Sequence, residues 1–288
     1  MQEGHCREPL FPQPGLSIVN MPILLTFIFG TIIGSFLNVI AYRYNSGRTI
    51  GGRSACGTCG KHLAWYELIP LLSFVLLEAK CRKCKTHISW QYPLVELTTG
   101  LVFVSLYIKF QYVVAQGSVS GMLFGWILFS LLMVIAVYDL RHKIIPDGMV
   151  YFFSLLAFVG LFYSFSSGVF ALPTLWQVLA GPVIALPFFL LWVVSGGKWI
   201  GLGDAKLALG IGFLLGLWQG IAAILLSFWI GGAISVVLIV LGRTGRFLGK
   251  RGLAPGSEVP FAPFMVLGTL IVFVFGVDIF TIASWFQF

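Results

Sequence analysis

Long apolar runs separated by short polar or charged connectors dominate the chain. Eight runs stand out: Leu16–Tyr42, Pro93–Val114, Gly121–Tyr138, Met149–Phe165, Leu172–Val194, Asp204–Trp218, Ile221–Leu241 and Phe261–Trp285. Most reach the ~20 residues that an α-helix needs to cross a hydrocarbon core. None alternates apolar and polar residues every second position, as a membrane β-strand would. The pattern therefore predicts an all-α polytopic membrane protein of about eight transmembrane helices. The sixth run is short and glycine-rich, so it is either a tilted or partly inserted helix or one fused to the seventh.

Composition supports this reading. Of 288 residues, 58% are hydrophobic and only 10% charged, with a mean hydropathy of +0.97. Soluble domains carry roughly 25% charged residues, so a water-soluble enzyme is excluded. A disordered chain would need low hydrophobicity and high charge. The net charge of +8 records topology. With the N-terminus outside, sixteen of the eighteen Lys and Arg fall in inner-face connectors, and only Arg7 and Lys109 do not. That bias is the positive-inside rule, and it leaves no basic excess for nucleic acid. The first run is too long, and its flank too acidic at Glu3 and Glu8, for an ordinary signal peptide. It reads as a retained anchor. The predicted organisation is a tail (1–15), a first span (16–42), an inner-face module (43–92) and a multi-helix membrane domain (93–288).

The module carries Cys56-Gly57-Thr58-Cys59 and, 21 residues further on, Cys81-Arg82-Lys83-Cys84. Two C-x2-C pairs can supply four thiolates to a tetrahedral, structural zinc. Gly57 and Gly60 suit a tight turn around a metal. Disulfides or free thiols are the alternative, and disulfides are rare on the cytosolic side of a membrane. Cys6 is unpaired and on the outer side.

The chain has ten carboxylates. Five lie in or beside spans: Glu96, Asp139, Asp147, Asp204 and Asp278. An ionisable group in a span is costly and marks function by default. Asp139 ends the third span and Asp204 opens the sixth, so charge counting puts both at one depth near the inner leaflet. Two such carboxylates would share a proton. The ionised one can activate a water and the protonated one can polarise a carbonyl, which is amide hydrolysis of the aspartic-protease kind. The alternatives are structural. Asp139 can be a boundary residue paired with Arg141 or Lys143, and Asp204 can be a helix N-cap. Asp147, after Pro146, suits a cap of the fourth helix. Asp278 falls in the outer half of the last span, away from the pair. Glu96 can orient a site residue or pair with a basic group.

Several motifs together resemble the bacterial type IV prepilin peptidases, GxGD aspartic proteases of the membrane. They are Gly34-Ser35-Phe36-Leu37-Asn38, the cysteine module with Trp65-Tyr66-Glu67-Leu68-Ile69-Pro70, Tyr92-Pro93-Leu94-Val95-Glu96, Asp139 with Ile145-Pro146-Asp147, Gly201-Leu202-Gly203-Asp204-Ala205-Lys206, and Val259-Pro260-Phe261-Ala262-Pro263. The resemblance implies that Asp139 and Asp204 are the catalytic pair, with Gly201, Gly203 and Lys206 supporting them. It implies that Cys56, Cys59, Cys81 and Cys84 hold zinc. It also implies substrates, the prepilins or pseudopilins, whose short basic leader is cut after a glycine on the cytoplasmic side of the inner membrane. Many members with this module then methylate the new N-terminus with S-adenosylmethionine. Gly57 stands where the family often has proline, and no loop here marks a nucleotide-type cofactor. Two other readings remain. One is a zinc-stabilised transporter or scaffold with an aspartate ion relay. The other is a GxGD protease of the presenilin or signal-peptide-peptidase type, which lacks the cysteine module.

Overall fold

The computed structural model describes residues 16–47, 49, 51–113, 118–164, 169–243 and 259–284. The tail with Cys6, and the stretch 244–258 with Glu258 and three of the inner-face basic residues, lie outside the described residues. The membrane helices are α1 (Leu16–Arg43), α3 (Gln91–Ile108, extended by a π-turn to Val113), α4 (Val119–His142), α5 (Asp147–Gly160), α6 (Leu175–Ser195), α7 (Leu202–Leu215), α8 (Leu217–Arg243) and α9 (Ala262–Phe275). A five-residue helix, α2 (Leu72–Leu76), lies in the module, and a six-residue helix, α10 (Ile279–Ser284), follows α9. A two-residue hairpin, β1 (Tyr163–Ser164) with β2 (Val169–Phe170), joins α5 to α6. Five helices are long and apolar enough to cross a membrane alone; α5 and α9 are shorter apolar helices.

The sequence and structure agree on eight main helices and differ at their ends. The sixth and seventh runs do not fuse. Gly216 adopts φ +76° between α7 and α8, a conformation that an L-residue disfavours, and the chain reverses there. The eighth run is not one helix either. Gly276 at φ +67° ends α9, and α10 restarts three residues later under the Asp278 carboxylate, which accepts from Thr281 N–H at 2.7 Å. The fourth run stops at Gly160, five residues before its expected end.

Where helices are wrapped by lipid, packing and polar contacts hold them together. Small residues set the closest approaches. A Cβ added at Gly30 would lie 2.8 Å from Gly100 Cα, and one at Gly34 2.8 Å from Glu96 Cα, so α1 and α3 cross almost backbone to backbone. Gly212 stands in the same relation to Gly181, which seats α7 on α6. One buried cluster joins α3 to α9, with Leu106, Leu128, Phe129, Phe153, Ile211 and Met265 among its least exposed side chains. Large apolar side chains such as Leu25, Phe152, Leu186 and Val237 point outward. That inversion of the soluble rule fits a lipid surround.

Candidate active site and metal centre

Asp139 sits on the last full turn of α4 and is 4% exposed. Its Oδ2 accepts the Ala262 backbone N–H at 3.1 Å. Ala262 is the first residue of α9, followed by Pro263, so the donor is one of the unsatisfied amides at a helix start. The positive end of the helix dipole adds to that contact. The expected alternative, pairing with Arg141 or Lys143, does not occur. Arg141 lies over the Tyr42 ring, 4.4 Å from its centroid. Lys143 is the left-handed C-cap of α4, its backbone N–H donating to the Asp139 carbonyl.

Asp204 lies in the first turn of α7, half-buried, with its N–H on the Gly201 carbonyl at 3.2 Å. The N-cap is Gly201, so Asp204 is not the cap. Asp139 and Asp204 are within electrostatic reach of each other. Gly203 fixes this approach. A Cβ there would fall 2.7 Å from Ile145 Cβ, so only glycine lets the start of α7 rest on the connector that follows Asp139. Gly201 lies beside the carboxylate itself, its would-be Cβ 3.5 Å from Asp204 Oδ2. Lys206, two residues on, turns away from both acids and pairs with Asp147 at 2.7 Å. The cap of α5 is Pro146, so Asp147 serves as an ion-pair partner and not as a cap. The pair clamps the starts of α5 and α7 side by side, while the Tyr151 ring lies 5.1 Å from the ammonium.

Three contributors to this site were not legible in the sequence. They are the Ala262 N–H, the Ile145 buttress and the choice of Asp147 as the partner of Lys206. The first two are a backbone atom and an apolar side chain, which carry no chemical signature. The Val259–Pro263 motif was the only signal for the first.

Glu96 is buried on α3 and pairs with no basic group. Its Oε2 accepts the Leu71 backbone N–H at 2.8 Å. Asn38, next to it on α1, donates to the Gly34 and Tyr92 carbonyls. Glu96 thus ties the module to the α1–α3 pair.

In the module, the four Sγ atoms of Cys56, Cys59, Cys81 and Cys84 lie within 4.8 Å of one another. Zn–S bonds of about 2.3 Å in a tetrahedron require sulfurs about 3.8 Å apart; Cys56 and Cys84 stand at 3.7 Å. The set can hold a metal ion. Each pair closes the same knuckle. Cys56 N–H donates to Lys61 O and accepts at its carbonyl from Gly60 N–H; Cys81 does likewise with Thr86 and Lys85. The residue after the second cysteine has positive φ both times, Gly60 at +67° and Lys85 at +59°. Gly57 needs no such freedom. Amides of Cys59 and Thr58 hold the Cys56 thiol below its ordinary value. The Thr86 hydroxyl, with its amide, lowers Cys84 to about 6. Beside the knuckle, Glu67 is buried, accepting from Ala64 N–H at 2.9 Å and from Lys61 Nζ at 3.0 Å. Those two contacts hold its carboxyl below the usual range, the amide first.

At the opposite end of the bundle, α6, α8 and the α9–α10 break enclose a cavity of about 680 Å³ lined by Trp176, Trp218, Gln219 and Asp278. Asp278 is therefore remote from the two aspartates, as expected.

A multi-pass membrane chain with paired aspartates at one end of its bundle and a tetracysteine module is the class these features define. Comparison with known proteins narrows it. A family model described as Bacterial Peptidase A24 N-terminal domain matches residues 28–110, and one described as Type IV leader peptidase family matches 126–236. The chain is 35% identical over 249 residues to a prepilin leader peptidase/N-methyltransferase of Myxococcus xanthus, covering 83% of this chain and 70% of that one. The Bacillus subtilis protein of that name is 32% identical over 254 residues, covering 88% of this chain and 94% of that one. The Pseudomonas aeruginosa one is 29% identical over 287 residues, covering 88% and 90%. The chain belongs to the type IV leader peptidase family and is a membrane peptidase. No solved structure matches it.

Proposed function

We propose that the chain removes the leader of type IV prepilins or pseudopilins by hydrolysis at the Asp139–Asp204 pair, and then methylates the new N-terminus. The observation that carries the peptidase half is the convergence of two carboxyls at two helix starts, with no cation between them among the described residues. One carboxyl takes a proton from water as its oxygen attacks the scissile carbonyl carbon. The other, protonated, donates to the carbonyl oxygen. Collapse of the tetrahedral intermediate breaks the C–N bond, and a proton passes to the departing amine. Ala262 N–H holds one oxygen of Asp139 in place, and Gly203 holds Asp204 against it. The Lys206–Asp147 pair keeps the cationic charge off the dyad.

The arrangement supports a zinc ion at Cys56, Cys59, Cys81 and Cys84 with a structural role, since its four ligands leave no open position. It supports the division into a span at 16–42, a module at 43–92 and a peptidase domain at 93–288. The positive-inside bias supports an inner-membrane protein with the module in the cytoplasm and the N-terminus outside. S-adenosylmethionine, as donor, would supply the methyl group; no described residue set is assigned to it. An ion relay would place acids through the bilayer depth, whereas Asp139 and Asp204 meet at one end.

The test is mass spectrometry of a prepilin incubated with purified protein and S-adenosylmethionine. Loss of the leader with a gain of one methyl is expected from the intact chain. Unimpaired processing by Asp139→Asn or Asp204→Asn would end the dyad assignment.

A further inference from the structure

The module presents an apolar surface that the peptidase chemistry does not use. In α2, Leu72, Val75 and Leu76 stand at i, i+3 and i+4, so they share one face. They are 51%, 71% and 71% exposed. Such a face is costly in water and marks a binding surface.

Its position is fixed by two contacts. Leu71 N–H, at the start of α2, is held by Glu96, and Phe74 meets Trp90 edge-on with ring centroids 4.9 Å apart. Trp90 immediately precedes α3, and Glu96 lies six residues further in. At 1.5 Å per residue that places Glu96 about 9 Å beyond Trp90 along the helix. The headgroup zone of one leaflet is about 5–7 Å deep. The start of α2 is therefore not above the membrane surface but near the boundary between headgroups and acyl chains. Leu71 itself has φ +59°, a strained conformation for a side-chain-bearing residue, and it is held there by the buried carboxylate.

The surface is also continuous with the bilayer-facing stripe of α3. That stripe runs through Trp90, Leu94, Leu97 and Leu101, all exposed and spaced three or four apart, with Ile108 exposed two turns further on. Trp90, 75% exposed, is an interface-type residue at its head and makes the edge-on ring contact to α2. Beyond α2 the module turns basic: Lys80, then Arg82, Lys83 and Lys85, the last three exposed. Apolar foot and cationic rim together form the pattern of a segment that lies in a leaflet with anionic lipid.

We propose that α2 is a monotopic foot. Leu72, Val75 and Leu76 insert into the acyl boundary of the leaflet on the module's side, while Arg82, Lys83 and Lys85 contact phospholipid headgroups. The Glu96–Leu71 bond then anchors the module at a set depth, which fixes the height of the cysteine knuckles over the membrane.

The photoreactive residue p-benzoylphenylalanine is placed singly at Val75, at Leu76 and, for comparison, at the exposed Thr58 of the first cysteine knuckle, which the foot does not place on lipid. Each full chain is reconstituted in nanodiscs of phosphatidylethanolamine and phosphatidylglycerol with a prepilin present. Metal analysis selects proteins that keep about one zinc per chain. After illumination, intact-mass spectra are expected to show phospholipid adducts at Val75 and Leu76 at least tenfold above Thr58. Crosslinks from either position mainly to the prepilin or to a second copy would identify this surface as a protein-docking face and overturn the foot. Adducts no greater than at Thr58 would overturn it as well.

Discussion

Single residues set the geometry of the aspartates. Asp139 and Asp204 touch the reacting atoms in the proposed hydrolysis, so Asp139→Asn or Asp204→Asn should lower prepilin cleavage by about 10²–10⁴-fold or more. Zinc content and the elution profile should not change, because neither residue holds a helix in place through an ion pair. Gly203 is a sharper case, because it carries no chemistry. Gly203→Ala forces a methyl to within 2.7 Å of Ile145 Cβ unless the backbone gives way. A shift of about 1 Å at a catalytic group can cost about 10²-fold. Cleavage by Gly203→Ala is therefore expected to fall by that order while KM for the prepilin changes little. Wild-type kcat in this variant would show that the close approach is not needed. The acids were legible in the sequence because charged residues in apolar runs are rare. The Ala262 N–H was not, because every residue but proline has one.

Between helices, ion pairs and glycine breaks decide the arrangement. The Lys206–Asp147 pair joins α7 to α5, with Lys206 19% and Asp147 61% exposed. A pair this open contributes only about 0.2–1 kcal/mol. Lys206→Met and Asp147→Asn should each reduce cleavage a few-fold. The double variant should do little more, since each single change already removes the interaction. Additive losses would assign Lys206 a separate contact with substrate. Gly216 divides α7 from α8 at φ +76° with open space around it. Gly216→Ala should thus destabilise by strain alone, about 1–3 kcal/mol for this extended positive-φ conformation, read as a lower thermal midpoint in detergent. The ends of elements were the least legible part of the sequence. The apolar run Phe261–Trp285 contains Gly276 and Asp278, yet hydropathy alone cannot show that one starts a left-handed turn and the other caps a new helix.

Across the whole molecule, the module and the bundle are joined through α1, α3 and Glu96, and a metal held by the four cysteines would set the module's stability. Removal of the metal by a strong chelator, or by Cys56→Ser with Cys59→Ser, should unfold 43–92 and leave the membrane helices intact. Protease sensitivity confined to the module, with loss of about one zinc per chain, is the expected readout. The module should also be acid-labile through Glu67. Its carboxyl is held low in the folded state by Ala64 N–H and then Lys61. The stability this provides is fully present above the unfolded value of about 4.3 and is lost as pH falls through the lower folded value. Glu67→Gln should weaken the module at neutral pH and flatten its dependence on pH in the acid range. An unchanged acid midpoint in this variant would show that Glu67 does not set the module's acid sensitivity.

What the sequence by itself determined follows from composition and spacing. Long apolar runs need helices in lipid, two C-x2-C pairs make a four-sulfur set, and two rare acids fall at one end of the bundle. Tertiary structure alone decided the contacts. Ala262 became the amide on Asp139 in place of Arg141 or Lys143, Asp147 took Lys206, and Glu96 held a backbone N–H instead of a cation. The physical reason is that hydropathy and charge act along the chain and survive in the sequence. Close packing at Gly203 and hydrogen bonds to backbone atoms join residues 25 to 123 positions apart, and no local pattern records which of them meet.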